Sequence, residues 1–185
     1  MNSVMKRICI LAIAATAVAA SVLPVQAEGL VTQGSSELGI GGTFDFTSAV
    51  GTDLALDVRY SYFFWDRISL GGVGGFSHND AASGIKVGFV GEYNFELPEG
   101  YEPLIGTDFV PFIGAGLSYQ YVDVYHEHES ALVLTTEGGA KFFLTDSAAV
   151  TLSAIFDLAT EDIFPDDNDA NKWNVAFRLG MRFYF

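Results

Sequence analysis

Cysteine, proline and positive charge are all scarce in this sequence. The chain of 185 residues has one cysteine, Cys9, and five prolines. Its 9 Lys and Arg residues face 23 Asp and Glu residues, which gives a formal net charge of -14. Because phosphate binding needs clustered cations, this balance excludes nucleic acid as a partner. Half of the residues are apolar, so the chain also differs from a disordered one. Its length fits a single domain.

Long hydrophobic runs are absent beyond the N-terminus. There, Lys6 and Arg7 precede an Ala-rich apolar run over 8–22, and small or apolar residues lead up to Ala27. This pattern is typical of a secretory signal peptide cleaved after Ala27. The run is shorter than the roughly 20 residues that a membrane-spanning helix needs. We therefore predict a signal peptide over 1–27, and Cys9 lies within it.

Apolar side chains recur at every second position through most of the remaining chain. The clearest case is the C-terminus, where one face carries Val175, Phe177, Leu179, Met181, Phe183 and Phe185. A period of two is that of a β-strand. The same rule predicts strands over 37–47, 54–63, 68–77, 84–95, 109–121, 131–144, 148–159 and 173–185.

Eight strands of this length predict an all-β fold, an eight-stranded antiparallel transmembrane β-barrel. Each strand is about as long as the 9–11 residues that a tilted strand needs to cross a bilayer, and an even number returns both termini to one side. The predicted connections are tight at 64–67 and 145–147 and longer at 122–130 and 160–172. Residues 96–108 are too many for the short-turn side, which indicates an insertion or a misplaced boundary. We assign 28–36 to a periplasmic segment and 37–185 to the barrel.

A secreted sandwich or a lipocalin-like barrel has the same alternation with its apolar face inward. In this chain the polar faces are small and rich in glycine whereas the apolar faces are bulky, which favours a narrow lumen and lipid outside. Aromatic residues also gather near the strand ends, as they do in the interfacial girdles of membrane barrels. These residues are Tyr60, Tyr62, Phe63, Phe64, Trp65, Tyr93, Phe95, Tyr119, Tyr121 and Phe142.

Three segments resemble a known family. Residues 175–185 look like the C-terminal assembly signal of bacterial outer-membrane proteins, and 111–119 and 138–146 are similar to strand motifs of the OmpA-like and porin-like β-barrels. The resemblance implies an outer-membrane location, contact with outer-membrane lipid and lipopolysaccharide, and recognition by the barrel assembly machinery. The residues of the assembly signal would be Met181, Phe183 and Phe185. The family includes structural and adhesive members, so we expect envelope integrity or surface interaction.

Charged residues also occur on the faces predicted to point inward. They are Asp45, Asp57, Glu92, Glu137, Asp157, Arg59, Lys86, Lys141, Arg178 and Arg182. Five negative charges match five positive ones, and a desolvated charge must be paired. Since eight strands enclose an interior that side chains fill, we predict a salt-bridged lumen that does not conduct. A narrow pore for small solutes is the alternative.

The predicted outer loops are acidic. Their carboxylates belong to Asp53, Asp80, Asp123, Glu127, Glu129, Glu161, Asp162, Asp166, Asp167 and Asp169. Divalent cations could bridge such a rim to lipopolysaccharide, because they prefer oxygen ligands. Lys172 stands where a calcium loop needs glycine, and His126 with His128 lacks a third zinc ligand. We therefore expect neither a metal site nor a cofactor.

One segment permits an enzymatic alternative. The sequence His128-Glu129-Ser130 resembles the His-x-Ser motif of the outer-membrane lipid A deacylases, which are small barrels with a site on the membrane-facing surface. The resemblance implies a general base at His128, a nucleophile at Ser130 and an orienting carboxylate, for which Glu137 is the candidate. However, Ala131 follows where that family has Asn, and Glu137 falls on the presumed lumen face. We expect a protein that is not an enzyme and keep the hydrolase as the alternative.

Overall fold

Eight long strands make up most of this chain, as seen in a computed structural model that describes residues 31–45, 54–78, 82–97, 108–124, 127–165 and 170–185. They are β1 (Ser36–Asp45), β2 (Leu54–Trp65), β3 (Ile68–His78), β4 (Ala82–Asn94), β5 (Phe109–Val124), β6 (Glu127–Thr145), β7 (Ala148–Ala159) and β10 (Trp173–Tyr184). Two short strands, β8 (Phe164–Pro165) and β9 (Ala170–Asn171), pair with each other between β7 and β10. The predicted signal peptide lies outside the described residues.

The eight long strands close into a barrel in the order β1-β10-β7-β6-β5-β4-β3-β2. The first and last strands pair antiparallel, from Glu37 opposite Tyr184 to Asp45 opposite Ala176. Closure matters because lipid offers no hydrogen bonds to a free strand edge. The predicted eight-stranded antiparallel barrel is confirmed. No described residue belongs to a helix that is long and apolar enough to cross a membrane.

The outer face of the barrel is apolar over its whole circumference. Exposed side chains on it include Ile40, Leu56, Val58, Phe89, Ile113, Leu117, Leu134, Leu152, Phe177 and Leu179. Phe89 is 78% exposed, although water contact costs about 25 cal/mol per Å² of apolar surface. A belt of this extent is far larger than the apolar patches of soluble proteins. The soluble alternative is therefore excluded, and the belt is a surface for lipid.

The two ends of the barrel differ. At the turn end, which holds the C-terminal residue, two-residue turns at 66–67 and 146–147 connect β2 to β3 and β6 to β7. The opposite end, the loop end, carries the connection over 160–172. At the turn end β4 ends at Asn94 and β5 begins at Phe109, with Asn94 opposite Phe112. The paired strands on either side show that 95–108 is an insertion and not a misplaced boundary.

The hairpin of β5 and β6 is longer than the sequence predicts. The expected loop over 122–130 is wrong, because β5 continues to Val124 and β6 begins at Glu127. Asp123 lies opposite His128, and the His128 ring stacks on Tyr121 with centroids 5.7 Å apart. Strand residues that extend beyond the lipid need no apolar face. The polar sequence of 122–130 therefore gives no indication that β5 and β6 continue through it.

The segment before β1 is attached to the barrel. The backbone N–H of Arg67 donates to Val31 O at 2.7 Å, and that of Gly34 donates to Phe63 O at 2.9 Å. The N–H of Gln33 donates to Asp66 Oδ1 at 2.9 Å. Residues 31–35 of the predicted periplasmic segment therefore cover the turn end, and Ser36 already belongs to β1.

Arg67 offers a test of this turn. Among the described residues it is the one non-glycine residue with a positive φ, 67°, a conformation that costs an ordinary residue roughly 1–2 kcal/mol. We expect Arg67→Gly to raise the free energy of unfolding by about 1 kcal/mol, measured by urea titration in lipid vesicles. Ser147→Gly, in the other tight turn, should lower it. A destabilised Arg67→Gly variant would mean that the exposed 3.4 Å ion pair between Arg67 and Glu96 outweighs the strain.

Candidate functional site

The inward faces of five strands, β1, β2, β4, β6 and β10, supply a cluster of charged side chains in the lumen. Strand alternation places them on one face because successive side chains point to opposite sides of a sheet. The cluster, called here the lumen network, consists of Glu37, Asp57, Arg59, Lys86, Glu92, Glu137, Lys141, Arg178 and Arg182. All except Lys86 are buried.

Glycines on neighbouring strands make room for the long cations. A Cβ atom on Gly39 would lie 3.0 Å from Arg182 Cδ, and one on Gly75 would lie 2.8 Å from Lys86 Cε. Both separations are shorter than ordinary contacts between carbon atoms. The glycine-rich inward faces seen in the sequence therefore have a packing function, since larger residues would displace the charged side chains.

Asp57 joins two cations near the loop end of the network. Its Oδ1 lies 2.7 Å from Lys86 Nζ, and its Oδ2 accepts a hydrogen bond from Arg178 Nη2 at 2.7 Å. The other terminal nitrogen of Arg178, Nη1, donates to Glu137 Oε2 at 3.0 Å. One guanidinium thus links carboxylates on β2 and β6, which belong to different parts of the barrel wall.

Glu137 is at the centre of the network. Besides Arg178 it accepts a hydrogen bond from Arg59 Nη2 at 2.7 Å and one from Ser153 Oγ at 2.6 Å. Arg59 Nη1 continues to Glu92 Oε2 at 3.3 Å. Charge-assisted hydrogen bonds of this kind are stronger than neutral ones, so Glu137 is held as a carboxylate by direct contacts with two guanidinium groups.

Lys141 lies at the turn end of the network and is fully buried. Its Nζ contacts Glu37 Oε2 at 2.7 Å and Glu92 Oε1 at 2.5 Å. On the other side, the rings of Phe63, Phe112 and Tyr184 have their centroids 5.5 to 5.8 Å from the same nitrogen. Aromatic faces attract cations at this range. Lys141 therefore connects the charged layer of the lumen to an aromatic layer beneath it.

Apolar side chains lie at both ends of the charged region. At the turn end the cluster is formed by Val31, Phe63, Val110, Phe143, Ala149 and Tyr184. At the loop end it is formed by Val122, Ala131, Val133, Ala159 and Ile163, with Phe164 packed against it. Each cluster combines inward strand residues with at least one residue from outside the long strands. Among the described residues, the network thus lies between an apolar layer at the turn end and an apolar cluster on the β5–β7 side of the loop end.

Of the ten charged residues predicted to lie in the lumen, eight belong to the network. Asp157 also lies inside but accepts a hydrogen bond from Thr135 Oγ1 at 2.5 Å, and no ion pair of Asp157 occurs among the described residues. The side chain of Asp45 lies outside the described part of the chain. Glu37 was missed, although it precedes Gly39 by two positions and alternation alone would have identified it.

The aromatic layer was also missed. Phe63 was predicted to belong to the interfacial girdle, and this is wrong because its side chain is buried inside the barrel. Phe64 and Trp65, which follow it, are exposed on the outside. Phe63 continues the inward series of Arg59 and Ser61, so alternation alone would have placed it inside. The pairing of β2 with β3 becomes irregular only between Phe63 and Trp65.

The three residues of the hydrolase alternative lie on two sides of the barrel wall. Glu137 is in the lumen, whereas His128 and Ser130 are both exposed and lie two positions apart on β6. The carboxylate near His128 is Asp123, whose Oδ2 lies 3.7 Å from His128 Nδ1. Glu137 therefore does not orient His128.

The described residues contain no group of three or more His, Cys, Asp or Glu side chains that could hold a metal ion. Several residues of the predicted acidic rim lie outside the described part of the chain, as does His126. These residues are Asp53, Asp80, Asp166, Asp167 and Asp169.

The predicted assembly signal lies on the outside of the barrel. Met181 and Phe183 are on the outward face of β10, and Phe185 follows the strand. Phe185 is 71% exposed and its ring centroid lies 6.5 Å from that of Tyr60.

Comparison with known proteins bears on the fold. No family model and no curated protein matches the sequence. Among solved structures, the N-terminal β-barrel domain of Pseudomonas aeruginosa OprF matches with a TM-score of 0.60 and 18% identity, covering 83% of this chain and 98% of that domain. The chain has the fold of the small eight-stranded outer-membrane β-barrels.

Two further outer-membrane barrels support this assignment. Pseudomonas aeruginosa OprG matches with a TM-score of 0.54 and 12% identity over 86% of this chain and 99% of its own. Neisserial surface protein A matches with a TM-score of 0.52 and 13% identity over 82% of this chain and 95% of its own. At such identities the shared feature of these outer-membrane barrels is the fold, and the function must be argued from the lumen and the surface.

Proposed function

We propose that this protein is an integral outer-membrane barrel of a Gram-negative bacterium that does not conduct ions, is not an enzyme, and serves envelope integrity or surface interaction. Its partners would be outer-membrane lipid, lipopolysaccharide and the barrel assembly machinery, with divalent cations at the acidic rim. The observation that carries the proposal is the lumen network, whose ion pairs cross the interior of the barrel.

The network crosses the lumen instead of lining it. Arg59 on β2 reaches Glu137 on β6 at 2.7 Å, and Arg182 on β10 approaches Glu92 on β4 at 3.9 Å. In each pair the two strands are four positions apart in the eight-stranded barrel, so these ion pairs span the interior. A conducted ion would have to separate such pairs, and breaking a buried pair costs about 3–5 kcal/mol. The contacts therefore support a stabilising interior more than a pathway.

A deletion strain tests the proposal, because the two interpretations predict changes of opposite sign. For a structural barrel, loss of the protein should increase the sensitivity of cells to detergents and large antibiotics. Expression of the wild-type chain should restore resistance. For a pore, loss should instead slow the uptake of small hydrophilic solutes and leave resistance to large compounds intact. The second outcome would overturn the proposal.

The lipid A hydrolase remains a second candidate because of one observation. The Asp123 carboxylate approaches His128, and Ser130 shares the outward face of β6 with that histidine. This face continues into the lipid-facing residues Leu132 and Leu134. Mass spectrometry of lipid A from cells with and without the protein separates the candidates. We expect identical species, whereas an acyl chain lost with the wild type and retained with Ser130→Ala would establish the hydrolase.

A further inference from the structure

Two small cavities lie beside Arg178 in the lumen. The larger has a volume of about 20 Å³, and the charged residues that line it are Arg59, Lys86, Arg178 and Glu137. The smaller has a volume of about 10 Å³, and its charged lining comprises three arginines and Asp57. Three cations and one carboxylate give each lining a formal charge of +2. Both cavities thus have a positive lining.

Arg178 has a donor that the network does not use. Its two terminal nitrogens donate to Glu137 and Asp57, but its Nε is buried and has no hydrogen-bond partner among the described residues. Arg178 is only 6% exposed. A buried N–H group without an acceptor is unfavourable, so an acceptor beside it would stabilise the folded state.

A second residue with a donor lines the same cavity as Arg178. Ser118 lines the larger cavity, and its Oγ accepts a hydrogen bond from Gln120 Nε2 at 3.4 Å. Since a hydroxyl group has one hydrogen of its own, Ser118 can still donate. The cavity therefore combines a net positive lining with two available donors, which is the chemistry of an anion site rather than a cation site.

We propose that the larger cavity binds one small monovalent anion of the halide class, chloride in the cell, held by Arg178, Lys86 and Ser118. Its volume corresponds to about one water-sized particle, which admits a halide and excludes phosphate and carboxylate-bearing solutes. This proposal is independent of the proposed function, because the ion pairs that cross the lumen do not require the anion.

Thermal unfolding of the full-length protein in detergent tests the site, with bromide as the probe. Sodium bromide and sodium gluconate are compared at equal ionic strength, because gluconate is too large for the cavity. We expect bromide to raise the Tm of the wild type by about 3 °C, as ligand binding at some tenfold above its Kd does in a domain of this size. Arg178→Lys keeps the charge but removes the Nε donor, and should lose most of the shift.

Two further measurements make the result decisive. Lys172→Gln, which removes an exposed cation, should keep the full shift. If Arg178→Lys does not fold, Ser118→Ala replaces it and should reduce the shift. In crystals grown with bromide, an anomalous peak beside Arg178 and Ser118 would support the proposal. Equal Tm values in bromide and gluconate, together with no such peak, would overturn it and assign the cavity to water.

Discussion

A chain that lacks its last five residues, Met181 to Phe185, should not fold in lipid. Four of these residues pair with 37–40 of β1, so their loss opens the barrel at the seam between its first and last strands. Free backbone groups in lipid each cost several kcal/mol. The deletion also removes Arg182, which donates to Glu37 at 2.9 Å. The measurement is the heat-dependent shift of the folded band in SDS gels after refolding into vesicles.

A point substitution separates closure from recognition during assembly. Phe185→Ala leaves the pairing of β1 and β10 complete, because Phe185 follows the last strand. Its refolding in vesicles should match the wild type, while its yield in cells should fall if the assembly machinery recognises the exposed aromatic residue. A truncated chain that inserts and resists SDS like the full-length protein would contradict closure by β10.

Replacing Lys141 by methionine should lower the free energy of unfolding by about 3–5 kcal/mol. The side-chain volume is similar, but Glu37 and Glu92 lose their contacts with Nζ at 2.7 and 2.5 Å. Both carboxylates are buried, so water does not replace the lost cation. The aromatic rings around Nζ lose a further interaction. Urea titration in lipid vesicles gives the change directly.

Lys172→Met is the matched control for this substitution. Lys172 is exposed in the connection before β10, and its Nζ donates to Thr160 O at 3.0 Å. Its replacement should change the free energy of unfolding by less than about 1 kcal/mol, as is usual for exposed charged groups. Small and equal effects of the two substitutions would show that water reaches Glu37 and Glu92 and that the turn end is open.

The sequence predicts most of the fold because lipid imposes a strict alternation on the strands. Where β7 crosses the lipid, its predicted limits, 148–159, match the structure. Beyond the lipid a strand no longer needs to alternate, so the sequence does not show where β6 begins. The predicted start, residue 131, is therefore four residues later than the observed start at Glu127. The burial of Phe63 follows from the alternation, since it continues the inward series of Arg59 and Ser61. The irregular pairing begins after Phe63 and leaves both residues that follow it exposed.

The charged composition of the lumen follows from the sequence, but its connections do not. Arg182 and Glu37 are 145 residues apart and meet only because β1 and β10 pair in a particular register. Which cation contacts which carboxylate depends on strand tilt and stagger, which composition does not determine. Likewise, the aromatic layer beneath Lys141 combines residues from β2, β5 and β10, whose spacing along the chain gives no indication of contact.

Single-channel recording in planar bilayers tests the closed lumen most directly. Purified full-length protein is reconstituted in parallel with Lys141→Met, which disconnects the network at the aromatic layer. The wild type should show no conductance steps, because ion pairs span its interior and an apolar layer packs the turn end. Lys141→Met should show brief openings if the network is what closes the lumen. Steady conductance steps from the wild type, unchanged in Lys141→Met, would contradict the account and establish a pore.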